Sequence, residues 1–450
     1  MTATADRTTA AGPAGEGTTT APGASRITAA APTTPSGYGA LRERFAPLLR
    51  EIAESAAERD RERRLPHAEV RSLADAGFTA LTVPIAQGGH GAGAETLFRL
   101  LIDLGEADSN LPQLLRAHFS HVEELLLEED GPETARRLEA IAEGAVFGNA
   151  SHERSTARVG DLATTVLPDG DGYRLDGEKH YSTGSLFADW IDVSARTADG
   201  GRARVTIASD APGVTLRDDW DGFGQILTGS GSTLLEDVKV PAAQVRVRPQ
   251  GGDGRPTTQT AFLQLVLLSS LVGVGRAAVR DAVGFVRSRT RVYSQGSGAT
   301  AAQDPLVQQV VGRISARVAA AEDAVLAAAR ALETARSAAE EEREALIDAA
   351  ELRTIQAQLT AVPDVLSVTT ELFEVGGASA TSTSRVLDRH WRNARTLASH
   401  NPVIYQERAI GDRLLNGTGL LYFWSTGETP TASRVPRGGE AASGSGSGTA

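Results

Sequence analysis

Between residues 37 and 145 the apolar positions recur every three to four residues. Phe45, Leu48, Leu49, Ile52 and Ala56 form one stripe, the spacing by which a helix buries a single face. Pro66 marks the start of a second helix and Ala76-Gly77-Phe78 its end, since proline suits a first helical turn and glycine a left-handed terminus. Ile85 to Gly93 contains Gly88, Gly89, Gly91 and Gly93 and reads as a loop. Two more helices are predicted, roughly over 95–107 and 111–129. The period then changes. Asp161 to Leu167, Tyr173 to Leu175 and Arg204 to Ile207 are short and rich in Val, Thr and Ile. Pro-Asp-Gly-Asp-Gly and Ala-Pro-Gly turns separate them, which predicts an antiparallel β domain over 146–255. Its end is the glycine-rich linker Gly251 to Pro256. From 256 to 425 helical spacing returns, with Leu306, Val307, Val310, Val311, Ile314, Val318 and Val325 on one face for about five turns. The expected architecture is α+β: an N-terminal helical domain (37–145), a central β-barrel-like domain and a C-terminal four-helix bundle. Residues 1–36 and 426–450 have almost no large apolar side chains, so they read as a disordered arm and tail.

Charge and composition narrow the functions. The 450 residues carry 57 acidic and 45 basic side chains, a net charge of -12. That balance disfavours nucleic acid and anionic membranes as partners, because tracking phosphates needs a basic excess. A small local anion site needs only one or two arginines and remains open. Without cysteine there are no disulfides, thiolate metal sites, iron–sulfur clusters or cysteine nucleophiles. The longest apolar run, Ala261 to Gly275, is interrupted by Gln264, Ser269 and Ser270 and falls short of the ~18 residues that span a bilayer. No secretory signal is evident at the N-terminus, so a soluble cytoplasmic protein is expected. Gly273-Val-Gly275-Arg-Ala-Ala278 fits a loose dinucleotide pattern, but a helical run precedes it where a strand is required. His118 and His121 share a helix face, and two histidines alone do not make a metal site.

Three segments at the joints of this architecture carry a resemblance. Asp176-Gly-Glu-Lys-His-Tyr-Ser-Thr-Gly184, Gly229-Ser-Gly-Ser-Thr-Leu-Leu-Glu-Asp-Val-Lys-Val-Pro241 and Leu372-Phe-Glu-Val-Gly-Gly377 resemble flavin-contacting segments of the acyl-CoA dehydrogenase superfamily. Phe147-Gly-Asn-Ala-Ser151, Arg217-Asp-Asp-Trp220, Arg289-Thr-Arg291, Arg389-His-Trp-Arg-Asn-Ala-Arg-Thr396 and His400-Asn-Pro-Val403 resemble its dibenzothiophene monooxygenase-like branch.

Dehydrogenases of this superfamily remove an α-proton with a glutamate near the end of the bundle or early in its first helices. This chain has Ser399-His400-Asn401-Pro402 at the first place, and no Asp or Glu between Asp253 and Asp281 at the second. The resemblance therefore implies a two-component monooxygenase. It would take reduced flavin, FMN by preference with FAD as the alternative, from a separate NAD(P)H-dependent reductase. With O2, a C4a-hydroperoxyflavin would then oxygenate sulfur, nitrogen or an indole carbon of a small substrate. Two alternatives stand beside it, an acyl-CoA dehydrogenase and a helical scaffold without flavin. His400 and Asn149 are the implied catalytic residues, His400 because a histidine titrating near ~6.5 can donate or accept a proton. The implied flavin contacts are Asn149, Tyr181, Ser182, Thr183, Trp220, Ser230, Ser232, Arg291, Gly376 and Gly377. Arg291, Gly376 and Gly377 would reach the cofactor from an adjacent subunit of a homotetramer. Ser379 stands where the branch carries a second phosphate-binding arginine. His118 and His121 lie on a helix that would wall the substrate pocket.

Overall fold

A computed structural model of the chain describes residues 37–128, 131–154, 162–248 and 257–420. The expected arm and tail lie outside these residues. The predicted stripe is buried as Phe45, Leu49, Ile52 and Ala56 along α1 (Tyr38–Glu62). Helix α2 (His67–Asp75) starts after Pro66, and Gly77 follows its end at φ +84°. In the glycine-rich loop a side chain at Gly89 would lie 2.1 Å from the Val83 carbonyl oxygen, so only glycine closes that turn. Helix α3 is Ala94–Ala107. The single helix expected over 111–129 is instead two, α4 (Asn110–Leu114) and α5 (Arg116–Leu127). The break falls where Gly184 packs so closely on Leu114 that a Cβ there would sit 2.1 Å from the Leu114 carbonyl. Helix α6 (Pro132–Ala142) leads into the sheet.

Among the described residues eight strands form one sheet: β1 (Phe147–Ala150), β2 (Thr165–Asp169), β3 (Gly172–Lys179), β4 (Trp190–Arg196), β5 (Arg202–Ala208), β6 (Val214–Leu216), β7 (Thr233–Pro241) and β8 (Val245–Arg248). Their order is β6-β7-β3-β2-β4-β5-β8, with β1 also on β4. The sheet is mixed rather than wholly antiparallel. β1 runs parallel to β4, Asn149 beside Asp192, and β2 touches β4 in the same sense. Parallel neighbours need a long crossover, which period-two spacing does not reveal. Alternate residues Val166, Leu175, Ile191, Val193, Val205, Leu235 and Val238 fill the core beneath.

The bundle consists of α7 (Thr258–Ser288), α8 (Pro305–Arg336), α9 (Glu340–Glu371), α10 (Asp388–Ser399) and α11 (Val403–Asn416). Thr257 and Asp304 cap α7 and α8 through backbone N–H groups, as short polar side chains do at helix starts. Helix α7 is long and apolar enough to cross a membrane, yet 83% of its most apolar window is buried inside the protein. The Gly273-Val-Gly275 sequence lies mid-helix, where α7 crosses α3. A Cβ on Gly273 would come within 2.4 Å of the Gly105 carbonyl carbon, so this glycine serves helix packing, not phosphate binding. The apolar stripe of α8 is only partly covered within the chain: Ile314, Val318 and Val325 are buried, but Leu306 is 69% exposed.

Candidate active site

Two loops at the end of the sheet run side by side. Ser182 N–H donates to the Gly231 carbonyl (3.0 Å) and Gly184 N–H to that of Thr228 (3.0 Å). This register joins Tyr181, Ser182 and Thr183 to Ser230 and Ser232. Thr183 Oγ1 and Ser230 Oγ are 2.8 Å apart, and Thr233 Oγ1 donates to Ser182 Oγ at 2.8 Å. Asp219 holds the second loop by accepting from Ser232 N–H and Oγ. Tyr181 adopts φ +58°, a conformation that costs a large side chain about 1–2 kcal/mol. It stays 44% exposed and meets Trp220 edge-on, with ring centroids 6.0 Å apart. Partly buried hydroxyls and exposed aromatic surface thus share one wall, in which the Ser182, Thr183 and Gly184 N–H groups are bonded within the protein. That donor set fits a planar heteroaromatic cofactor with polar edge atoms. Asn149 joins the wall from β1, its carbonyl accepting from Ser185 Oγ (3.0 Å).

His400 sits just beyond α10. Its Nδ1 is 3.2 Å from Asn401 Oδ1, Asn401 Nδ2 donates to Gln264 Oε1, and Gln358 Nε2 donates to the Asn401 carbonyl. An amide oxygen only accepts, so Nδ1 carries the proton and Nε2 keeps its lone pair. The residue is solvent-exposed at the C-terminal end of α10. Desolvation, followed by the nearby Arg116, pushes its pKa down to about 3. Both effects favour the uncharged imidazole.

Two residues without any sequence signal act on His400. Arg116, at the start of α5, donates from Nε to the Leu263 carbonyl (3.1 Å), beside Gln264. Burial lowers its pKa to about 10, which leaves it cationic. His152 follows β1, and its carbonyl accepts from His180 N–H at 2.8 Å. Burial, Arg116 and Lys179 all lower its pKa. His152 is thus joined through His180 to the Tyr181 wall, and both it and Arg116 act electrostatically on His400.

The α5 histidines are not surface groups of a pocket. His118 is fully buried, with Nε2 2.9 Å from the Thr79 carbonyl and Nδ1 accepting from Phe147 N–H. Burial pushes its pKa down to about 4. Both ring nitrogens are occupied by backbone, so His118 cannot contact a substrate as expected and instead ties α5 to β1. His121 stacks on Phe147 (4.0 Å) and pairs with the buried Asp192 at 2.8 Å. Only its buried Nε2 lacks a partner among the described residues. Asn149 shares a sheet face with that aspartate, since laterally paired strand residues point the same way.

Arg291, Gly376 and Gly377 lie elsewhere. Arg289 Nη1 donates to the Val375 carbonyl (2.7 Å), and a Cβ on Gly376 would meet the Phe285 ring. Arg291 is exposed in the same region. Phe285 and Gln264 are 21 positions apart on α7, or roughly 30 Å at 1.5 Å per residue. Within one chain the glycine pair and His400 therefore stand at opposite ends of α7. The Arg389-to-Thr396 motif is mainly a clamp: Arg389 and His390 bind Asp281 on α7, and Arg392 binds Asp60 on α1. A groove of about 500 Å³ is lined by Asp60, Ile226, Phe373, Ala380, Thr383 and Arg392, and not by His400.

Comparison with known proteins follows the same outline. The acyl-CoA dehydrogenase N-terminal domain family matches residues 40–144, and the acyl-CoA dehydrogenase C-terminal domain family matches 265–404. A dibenzothiophene monooxygenase of Mycolicibacterium goodii is 28% identical over 82% of this chain and 92% of its own. A probable FMNH2-dependent monooxygenase of Pseudomonas putida, SfnC, is 29% identical over 82% and 93%. Among solved structures, TdsC from Paenibacillus, in complex with FMN and indole, has a TM-score of 0.77 at 28% identity, covering 85% of this chain and all of that one.

Proposed function

The chain belongs to the acyl-CoA dehydrogenase superfamily, and from that premise we propose how its own residues serve a flavin-dependent monooxygenase. Relatives matched over nine-tenths of their length include dibenzothiophene monooxygenases and a probable FMNH2-dependent monooxygenase, and TdsC was solved with FMN. Reduced FMN, delivered by a separate reductase, supplies the two electrons and two protons. One atom of O2 bonds to a small substrate and the other leaves as water. A cytoplasmic location suits the exchange of reduced flavin between two proteins.

The observation that carries this reading is His400, a neutral imidazole where a dehydrogenase needs a carboxylate. An imidazole Nε2 fixed by the Asn401–Gln264 relay can instead accept a hydrogen bond from a protonated oxygen group and keep it in place. Thr183 and Ser182 hold the ring edge, and Tyr181 and Trp220 cover its surface and exclude water. Asn149 offers an amide to the same edge.

A shared site also follows from the two ends of α7. Arg291, Gly376 and Gly377 complete the phosphate end in a neighbouring copy of a homotetramer. Exposed apolar residues at both ends support this assembly: Tyr293 and Leu306 at one, Ile404, Tyr405, Leu414 and Leu415 on α11 at the other.

The test is a single turnover of anaerobic, FMN-reduced protein mixed with ¹⁸O2 and indole. One labelled atom in the product, with label also in water, supports the reading. Reduction of bound FMN by an acyl-CoA thioester, with no label in any product, would overturn it.

A further inference from the structure

We propose that the buried ion pair Lys179–Glu153 positions Tyr181 against the cofactor, fixing both its backbone turn and the cation that lies on its ring. The proposal rests on the flavin reading of the Tyr181 wall and adds the residues that hold that wall in shape. Lys179 closes β3, paired in register with Thr233 on β7. Its Nζ donates to Glu153 Oε1, and the two side chains are 0% and 1% exposed. Glu153 also accepts from the N–H groups of Ala163 (2.6 Å) and Thr164 (3.1 Å). Three donors from two segments thus lock one carboxylate.

Each member of the pair leads to Tyr181 by its own route. Along one stretch of chain, Lys179 is followed by His180, whose N–H donates to the His152 carbonyl (2.8 Å), and then by Tyr181. Along the other, Glu153 turns inward and its neighbour Arg154 turns out to the surface. The Arg154 guanidinium lies over the Tyr181 ring, 5.1 Å from its centroid, and donates to the Tyr181 hydroxyl at 3.4 Å. A cation so placed is attracted to the face of the ring. The pair therefore sets the backbone of Tyr181 from one side and the position of its ring from the other.

Tyr181 needs such support. A tyrosine at φ +58° is strained, and persists only where its surroundings over-determine it. After it, the fixed points are the Ser182 and Gly184 N–H bonds to Gly231 and Thr228, and the close approach of Gly184 to Leu114. Before it, they are the ion pair and the His180–His152 bond. A buried ion pair gains little net stability over apolar side chains of the same volume, because desolvation offsets the attraction. What it does define is one geometry, and here that geometry passes to the residue beside the cofactor.

The test starts from FMN-free, full-length protein and the double variant Glu153→Gln/Lys179→Met, which removes the pair without leaving either charge buried alone. Glutamine keeps an acceptor for the Ala163 and Thr164 N–H groups. Amide hydrogen exchange at Ser182, Thr183 and Gly184 should accelerate by about tenfold or more, with the rest of the β domain unchanged. Adding Tyr181→Asn, a residue that accepts left-handed backbone, should restore slow exchange, since the strain that drives the turn to relax is gone. FMN should bind the double variant about tenfold more weakly. Should that variant not fold, Glu153→Asp keeps both charges, withdraws the carboxylate by one methylene group and gives the same readouts. Unchanged exchange at these three amides, acceleration spread evenly over the β domain, or no recovery with Tyr181→Asn would overturn the proposal. So would an FMN affinity that falls in Tyr181→Ala but not in the double variant. Tyr181→Ala also separates the two readings. Unaltered FMN affinity in that variant would end the flavin reading of the wall, while the exchange data would still decide the role of the pair.

Discussion

The lone pair on His400 Nε2 is fixed by what the other nitrogen does. With Nδ1–H on Asn401 and desolvation and Arg116 holding the pKa at about 3, the imidazole stays neutral across the physiological range. His400→Ala should lower kcat by roughly 10²–10³. The kcat/KM of the native enzyme should show no inflection from His400 between pH 5 and 8. An inflection near 6.5 that vanishes in His400→Ala would refute the assignment. Glu351 titrates in the opposite direction. It is 4% exposed in α9, its Oε2 has no hydrogen-bond partner among the described residues, and burial raises its pKa to about 8. The folded state therefore holds a proton that the unfolded state releases above ~4.5, so stability falls as pH rises from there through 8. Glu351→Gln removes this burden, which amounts to several kcal/mol by order of magnitude at the upper end. Melting temperatures of the two proteins should differ little at pH 5 and diverge toward pH 8, with the variant higher.

Close approach between elements leaves a sharper trace in glycine than in any charged residue. At Gly273 a methyl group would press on the Gly105 backbone, whereas at Gly284, on the same helix, it meets open space. Gly273→Ala should cost about 1–3 kcal/mol by overpacking the α3–α7 crossing. Gly284→Ala should be neutral or stabilise by up to ~1 kcal/mol through helix propensity. Thermal melts of the pair check both signs, and equal effects would show that the crossing is not tight. The same contrast explains what the chain's pattern reveals. Periodicity located α1, α2, α3 and the apolar core of α8, because each buries one stripe against its own neighbours. It missed the break at Leu115, which depends on Gly184 some 70 residues later, and the parallel pairing of β1, which depends on a crossover. The loops joined in register are short segments such as Tyr181-Ser-Thr183, which the sequence singled out; the structure brings them beside Ser230 and Ser232. Arg116 and His152 were not singled out, since a single arginine in a helix and a histidine after a strand look like surface residues. Only the fold lets them act on His400. His118 failed for the converse reason, as two backbone partners turn a plausible pocket group into a brace.

At the scale of the whole molecule, α7 separates the Gly376–Gly377 turn from His400 by roughly 30 Å. Arg291 and the Gly376–Gly377 turn at one end cannot serve His400 at the other within a single chain. An assembly with closed symmetry can bring opposite ends together, each copy lending its phosphate end to a neighbour. Arg291→Ala should weaken FMN binding by about tenfold or more, through loss of a charge-assisted contact. His400→Ala should bind FMN normally and fail in turnover. Subunits of the two variants, dissociated, mixed in equal amounts and reassembled, then make a decisive pair. If each site draws Arg291 from one copy and His400 from another, about a quarter of the sites in a random mixture contain both native residues. Activity should return toward that fraction, and the hybrid should recover tight FMN binding in proportion. Were both residues to act within one chain, no mixture could place them in the same site, and activity would stay at the level of the parents. A charge placed on α11, as in Ile404→Glu, should abolish the recovery by blocking assembly, because a carboxylate cannot be buried unpaired at an interface. Size-exclusion chromatography of that variant would then show smaller particles and an FMN affinity matching Arg291→Ala, tying cofactor binding to assembly in one measurement.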